Sequence, residues 1–206
     1  MKKRRMKKLN NKGYSLVELI IVIAIIVVFS AAALITMSVM HNAKAKEAAI
    51  TFDSEISELI HNSKNRACDP DGDGIISENP DGDDSTNDSE KLYSFGIRLH
   101  SDGDKCYLQN VLVKNGVYES NSTYEAANNP NGGKGTSLSA YVYVEYTNLS
   151  GDKTVIGDGS SDEVIISYKR DGSCSVGAGH YDFMRTNSDT MVATMTLNKN
   201  GSHQSN

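Results

Sequence analysis

The sequence predicts an α+β protein in which one long N-terminal helix packs on a C-terminal antiparallel β-sheet. Three observations lead to this prediction. Leu19 to Met40 carry no charged side chain, and residues 41–65 continue with apolar residues at helical spacing. After Lys91 the pattern changes to short apolar and polar alternations separated by turns rich in Gly, Asp and Asn, which is typical of antiparallel strands. A chain of 206 residues is long enough for one such domain.

Charge is distributed unevenly along the chain. The first 13 residues carry seven positive and no negative side chains, so the remainder has 14 basic against 26 acidic side chains and a formal charge of −12. The strong negative charge of residues 14–206 disfavours general nucleic-acid binding, which depends on basic surfaces. The uncharged segment disfavours a plain water-soluble globule, because about 20 apolar residues suffice to cross a bilayer core.

A single helix is predicted over residues 14–65, because neither Gly nor Pro interrupts this range. Residues 14–40 are predicted to span the membrane. At about 1.5 Å per residue the whole helix is longer than a bilayer requires, so its second half stands outside. There, apolar residues recur every three or four positions among charged ones, which predicts the helix face that packs on the sheet. These are Ala45, Ala48, Ala49, Phe52, Ile56, Leu59 and Ile60.

The basic residues ahead of the span predict a single-pass protein with its N-terminus in the cytoplasm and its C-terminus outside. A secretory signal peptide cleaved near Ala33 is an alternative, since residues 30–33 are small. Two features argue against it. The apolar run continues to Met40, and Glu18 stands at its start, where a charge in hydrocarbon costs about 2.5 kcal/mol or more.

The run Gly13-Tyr14-Ser15-Leu16-Val17-Glu18-Leu19, followed by the apolar helix, resembles the N-terminal signature of type IV prepilins. Pilins and the pseudopilins of secretion and competence machines share this signature, and the resemblance covers residues 1 to about 65. It implies a pilin-like fold, removal of residues 1–13 as a leader by a prepilin peptidase that cleaves after Gly13, and N-methylation at Tyr14. Other pilin subunits are the implied partners.

The chemistry of the cleaved terminus suggests a role for Glu18 in assembly. Cleavage leaves an α-ammonium at Tyr14, with a reference pKa of about 8. When such helices pack side by side, a buried Glu18 carboxylate can face the Tyr14 ammonium of the neighbouring subunit. Removing one partner of a buried pair costs about 3–5 kcal/mol, so Glu18 is predicted to fix the register of assembly. The alternative is a Glu that only snorkels to the membrane surface.

An acidic loop is predicted over residues 66–91, where nine acidic and no basic side chains lie between Asp69 and Glu90. Three Asp at alternating positions followed by Gly74 match the first half of an EF-hand-type calcium loop, but the twelfth position is Pro80 instead of Glu. A structural calcium ion is therefore a candidate cofactor, and a solvated acidic loop is the alternative. The candidate ligands are Asp69, Asp71, Asp73, Ile75 through its carbonyl, Glu78 and Asp81.

Residues 92–206 are predicted to form an extracellular antiparallel β domain, with a long polar loop between Gly116 and Ser137. The predicted strands are Leu92–His100, Lys105–Lys114, Ser139–Asn148, Val164–Lys169 and Met191–Asn198. The last three strands each have one apolar face, which would pack on the helix stripe.

Three cysteines, Cys68, Cys106 and Cys174, lie in the part predicted to be outside, where disulfides are permitted. One bridge from Cys68 to the sheet is predicted, and three buried free thiols are the alternative. No catalytic pattern is present. The five His share no metal-ligand spacing, and the sequence has neither a nucleophile elbow nor a phosphate-binding Gly loop, so no enzyme is predicted.

The leading functional hypothesis is a structural subunit of a type IV pilus-like surface filament for adhesion, motility or surface interaction. A pseudopilin of a type II secretion or DNA-uptake machine is the first alternative. The second, from another class, is a membrane-anchored calcium-binding adhesion module that never polymerises. The membrane-anchored module differs from the two filament hypotheses because it predicts an uncleaved chain and a dispensable Glu18.

Overall fold

A computed structural model describes residues 15–65, 93–103, 105–114, 116–139, 141–186, 188 and 190–205. The chain divides into two compact units, Met1–Met40 and His41–Asn206. One helix, α1 (Leu16–Asn65), contributes residues to both. The α+β class predicted from the sequence is confirmed, with a long N-terminal helix followed by antiparallel strands.

The described part of the first unit is the apolar half of α1. By length and composition α1 can cross a membrane, and none of its most apolar 18-residue stretch is buried. Large side chains such as Leu16 and Phe29 are more than two-thirds exposed. An exposed apolar surface of this extent requires lipid or protein to cover it.

The second unit contains the remaining elements, all of whose strand pairings are antiparallel. They are β1 (Tyr93–Asp102), β2 (Lys105–Lys114), β3 (Val117–Glu119), α2 (Ser122–Asn128), β4 (Thr136–Ser137), β5 (Val142–Asn148), β6 (Lys153–Ile156), β7 (Val164–Tyr168), β8 (Cys174–Val176), β9 (Gly179–Arg185), β10 (Met191–Leu197) and β11 (His203–Ser205). One sheet has the order β3-β2-β1-β7-β8, with β4 also paired to β2, and the other has the order β11-β10-β9-β5-β6.

The longest hairpin joins β1 and β2. Its register runs from Tyr93 opposite Lys114 to Asp102 opposite Lys105, which leaves two residues for the turn. Gly103 begins this turn with φ +64°, a conformation that glycine adopts without steric cost. The turn is therefore tighter than the four-residue connection expected from the sequence.

The hydrophobic core joins the second half of α1 to both sheets. The predicted stripe is confirmed, because Ala45, Ala48, Ala49, Phe52, Ile56 and Leu59 are buried and Ile60 packs against the core. The Phe52 ring lies 4.9 Å from Tyr181 and 5.6 Å from Phe183, measured between centroids, so α1 packs directly on β9. Aromatic contacts at these separations add to the free energy of burial.

The strand predictions were right for β2 and nearly right for four others. The sequence placed the start of β5 at Ser139 instead of Val142, ended β1 at His100 instead of Asp102, and extended β7 and β10 by one residue each. The apolar faces of β5, β7 and β10 do point into the core, as predicted.

Two parts of the β domain were wrong in the sequence prediction. There are two sheets, not one, and β9 is a central strand that was missed although its Tyr181 and Phe183 alternate with His180 and Asp182. The predicted loop between Gly116 and Ser137 contains β3, α2 and β4. In α2, the Asn121 side chain accepts the Tyr124 N–H at 3.0 Å, an N-cap that satisfies an end donor of the helix.

Replacing the fully buried Ile56 by Ala is expected to lower the free energy of unfolding of a 41–206 fragment by about 2–5 kcal/mol, because a cavity forms in the core. The matched control is Ile50→Ala on the same helix, where the side chain is 70% exposed and the expected change is below about 0.5 kcal/mol. Urea unfolding followed by circular dichroism measures both. Equal losses in the two variants would contradict the assigned helix face.

Candidate processing and assembly site

The candidate site begins where α1 begins. The Ser15 backbone N–H donates to Glu18 Oε2 at 2.9 Å, and the Val17 N–H donates to Ser15 Oγ at 3.3 Å. The Leu19 N–H donates to the Ser15 carbonyl at 3.1 Å, which is the first hydrogen bond of the helix. This reciprocal arrangement is a variant of the capping box in which the Ser15 hydroxyl accepts the N–H of the second helical residue instead of the third, and it satisfies two backbone donors that a helix start otherwise leaves unpaired.

Glu18 is therefore engaged within its own chain. A carboxylate in the first turn is also favoured by the partial positive charge at a helix N-terminus. A carboxylate has about four lone-pair positions, so one bond to the Ser15 amide does not use up its accepting capacity. The predicted partner groups, Gly13 at the cleavage position and the Tyr14 terminus, lie outside the described residues.

Ser15 is a site residue that the sequence reasoning missed. The spacing Ser15-Leu16-Val17-Glu18 is the Ser-x-x-Glu pattern that precedes an apolar helix, and it was available in the sequence. The predictions for Glu18 concerned its charge, in the membrane and toward the Tyr14 ammonium, and did not include the backbone groups beside it.

Two hydroxyl groups farther along the apolar half of α1 are also satisfied locally. Ser30 Oγ donates to the Ile26 carbonyl at 2.8 Å, and Thr36 Oγ1 donates to the Ala32 carbonyl at 3.0 Å. A polar group in hydrocarbon is costly unless it is hydrogen-bonded, so these bonds let both residues lie within a membrane-spanning segment.

The cysteines differ from the favoured prediction. Cys106 and Cys174 are free thiols and both are buried, which is the free-thiol alternative for these two residues. Cys106 Sγ donates to the Ile156 carbonyl at 3.2 Å, and Cys174 Sγ to the Val176 carbonyl at 3.1 Å. Burial raises the pKa of Cys106 to about 12 and that of Cys174 to about 11. Cys68, the predicted partner, lies outside the described residues.

The candidate calcium ligands, Asp69, Asp71, Asp73, Ile75, Glu78 and Asp81, lie outside the described residues as well. Within the part of the chain that the structure describes, no group of three or more His, Cys, Asp or Glu side chains is placed to hold a metal ion. Calcium binding by the acidic loop stays a prediction.

A polar network that the sequence did not indicate fixes the segment between β2 and β5. Arg98 pairs with Glu163 and donates to Gln109 Oε1 at 3.3 Å. Gln109 Nε2 in turn donates to Glu125 Oε2 at 3.3 Å, and the Tyr118 hydroxyl donates to Glu125 Oε1 at 2.8 Å. These five side chains come from four separate parts of the sequence, so only the tertiary fold brings them together.

Comparison with known proteins supports the N-terminal assignment. Residues 8–34 match the family model described as the prokaryotic N-terminal methylation motif. No curated protein and no solved structure matches the chain. The match includes Ser15 and Glu18 and confirms the resemblance to the signature of type IV pilins and pseudopilins.

The motif covers 27 of the 206 residues, and it is typical of type IV pilin-like precursors, which are structural subunits of a pilus or pseudopilus. It further implies processing by a prepilin peptidase, assembly with other pilin subunits and membrane anchoring through the apolar helix.

The raised thiol pKa values predict resistance to alkylation. Thiolates are the reactive form, and at pH 8 both Cys106 and Cys174 are held as buried neutral thiols. Treatment with iodoacetamide at pH 8 is expected to leave both unmodified in the folded protein and to modify both after unfolding in guanidinium, as read from peptide masses. Alkylation of Cys106 at the same rate in both conditions would contradict the buried free thiol.

Proposed function

We propose that this protein is made as a membrane-inserted prepilin, cleaved after Gly13, methylated at Tyr14 and polymerised through α1 into a type IV pilus-like surface filament. The observation that carries the proposal is the methylation motif over residues 8–34, which covers the start of α1 and much of its exposed apolar half. In this proposal the N-terminus is cytoplasmic before processing, and the second unit lies outside the cell.

The exposed surface of α1 supports polymerisation after a membrane stage. Each large aliphatic side chain moved out of water contributes about 1.5–3 kcal/mol. Lipid can cover these side chains in the precursor, and the same helices of neighbouring subunits can cover them in a filament. A helix without Gly or Pro between residues 16 and 65 presents this surface without interruption.

Glu18 has two roles in this proposal: it caps the start of α1, and it pairs with the Tyr14 ammonium of the neighbouring subunit. In the proposal, one oxygen accepts the Ser15 N–H within the chain, and the carboxylate retains its charge for the Tyr14 ammonium of the neighbouring subunit. The two roles can be separated by mutation, because Gln can also take the third position of a capping box but carries no charge.

Replacing Glu18 by Gln is expected to reduce incorporation into filaments by more than about 100-fold, since an uncompensated buried charge costs about 3–5 kcal/mol. Ser15→Ala removes a cap contribution of about 1 kcal/mol but leaves the charge, and it should assemble nearly as wild type. Glu47→Gln is the matched control, because Glu47 is exposed and pairs with Lys44 at 2.6 Å.

The measurement is the share of subunit in sheared surface filaments relative to the share retained in membranes. Normal assembly of Glu18→Gln would overturn the charge-pairing role. A defect of the same size in Ser15→Ala would assign the effect to the helix cap. Equal amounts of protein in the membrane fraction show that insertion itself is unaffected.

The mature N-terminus provides the second test. The intact mass and first residue of the protein recovered from cells are expected to correspond to a chain that starts at Tyr14 and carries one added methyl group. A start at Met1 would favour the non-polymerising membrane-anchored module. A start near Leu34 would favour simple secretion.

A further inference from the structure

The residues that directly follow the apolar segment form a compact cluster with the β domain. The His41 ring stacks on Tyr141 with 4.5 Å between centroids and 17° between planes. Arg185 Nη1 donates to Asn42 Oδ1 at 3.1 Å, and the Thr186 N–H donates to the Tyr141 carbonyl at 3.1 Å. We call these five residues, His41, Asn42, Tyr141, Arg185 and Thr186, the base cluster.

The length of the apolar segment places this cluster at the depth of the lipid headgroups. The 22 uncharged residues from Leu19 to Met40 rise about 33 Å as a helix, which matches a hydrocarbon core of about 30 Å. A headgroup layer adds roughly 5–7 Å on each side. His41 and Asn42 lie only one and two residues past Met40, so they fall within this layer when the segment spans the membrane, and Tyr141 and Arg185 touch them.

The side chains of the base cluster have the chemistry that a headgroup layer selects. Tyr141 is 44% exposed, and Tyr is enriched at the membrane interface, where an apolar ring and a polar hydroxyl are both accommodated. Arg185 is half-buried, its Nη1 donates to Asn42, and its guanidinium is a charged planar group suited to phosphate oxygens.

We propose that the base cluster is a binding surface for the phosphate groups of membrane phospholipids, with Arg185 and Tyr141 as the contacting residues. The contact sets the depth and tilt of the second unit while the subunit is stored in the membrane, and it is given up when the subunit enters a filament. This inference rests on the membrane-inserted stage of the proposed function and not on polymerisation.

The test uses the full-length chain in vesicles of phosphatidylcholine and phosphatidylglycerol that contain one of two photoactivatable lipids. One probe carries its diazirine on the headgroup and the other in the middle of an acyl chain. Mass spectrometry of the digested protein maps the labelled peptides. We expect the headgroup probe to label the peptides that contain Tyr141 and Arg185, and the acyl probe to label residues within the apolar half of α1.

Arg185→Gln is expected to lower headgroup labelling of these peptides about fivefold, the factor for one cation near an anionic membrane surface. Arg185→Lys should retain most of it. The matched control is Arg170→Gln. Arg170 is an exposed arginine in the turn before β8, where Gly172 lies against Lys64, and Lys64 is roughly 35 Å along α1 from His41. Arg170→Gln should leave headgroup labelling of these peptides unchanged.

The outcomes separate the two proposals. Acyl labelling of α1 without headgroup labelling of the base cluster would overturn the lipid contact and leave the membrane stage intact. Equal effects of Arg185→Gln and Arg170→Gln on headgroup labelling would have the same consequence. Absence of labelling by both probes would overturn membrane insertion and the proposed function with it. An unchanged thermal unfolding midpoint of each variant ensures that a loss of labelling does not reflect a loss of fold.

Discussion

The constraint on which the rest of the structure depends is that the first half of α1 cannot be left in water. Those of its Leu, Ile and Val side chains that the structure describes are about half exposed or more, and nothing else in the described chain covers them. In the proposed function lipid covers this surface at first, and the basic residues ahead of it direct the helix into the membrane with its N-terminus in the cytoplasm. A filament of parallel helices covers the same surface without lipid. One physical requirement therefore accounts for both stages of the proposed life of the subunit.

After Met40 the same helix packs against the β-sheets of the second unit. There its composition changes to Ala, Phe, Ile and Leu on one face and charged residues on the other, and the apolar face closes the core formed by both sheets. Small alanines at the start of this stripe allow a close approach, and Phe52 packs against the aromatic rings of β9. The cost of ordering a long helix is thus offset twice, by burial in the globular core and by transfer of its other half out of water.

At the N-terminus of α1, the four residues Ser15 to Glu18 both cap the helix and carry its first charged side chain. The capping box holds the Glu18 carboxylate against the helix start, where the helix dipole also favours it. A side chain held in one place by its own backbone loses little further entropy when a neighbouring ammonium approaches. In the proposed assembly, preorganisation of this kind lets Glu18 make its register contact without depending on a flexible side chain finding its partner.

The sequence by itself determined the elements that local periodicity encodes. These are the uninterrupted helix, the stripe from Ala45 to Ile60, the hairpin of β1 and β2, and the apolar faces of β5, β7 and β10, because a period of 3.6 or 2 reports which side of an element is buried. The Ser15 cap was also encoded locally, as a four-residue pattern, although it was overlooked. Only the tertiary structure decided the partition into two sheets, the central position of β9, the network around Arg98 and the free state of Cys106 and Cys174. Each of these depends on distances between residues far apart in the chain, and periodicity carries no information about which strands or side chains become neighbours.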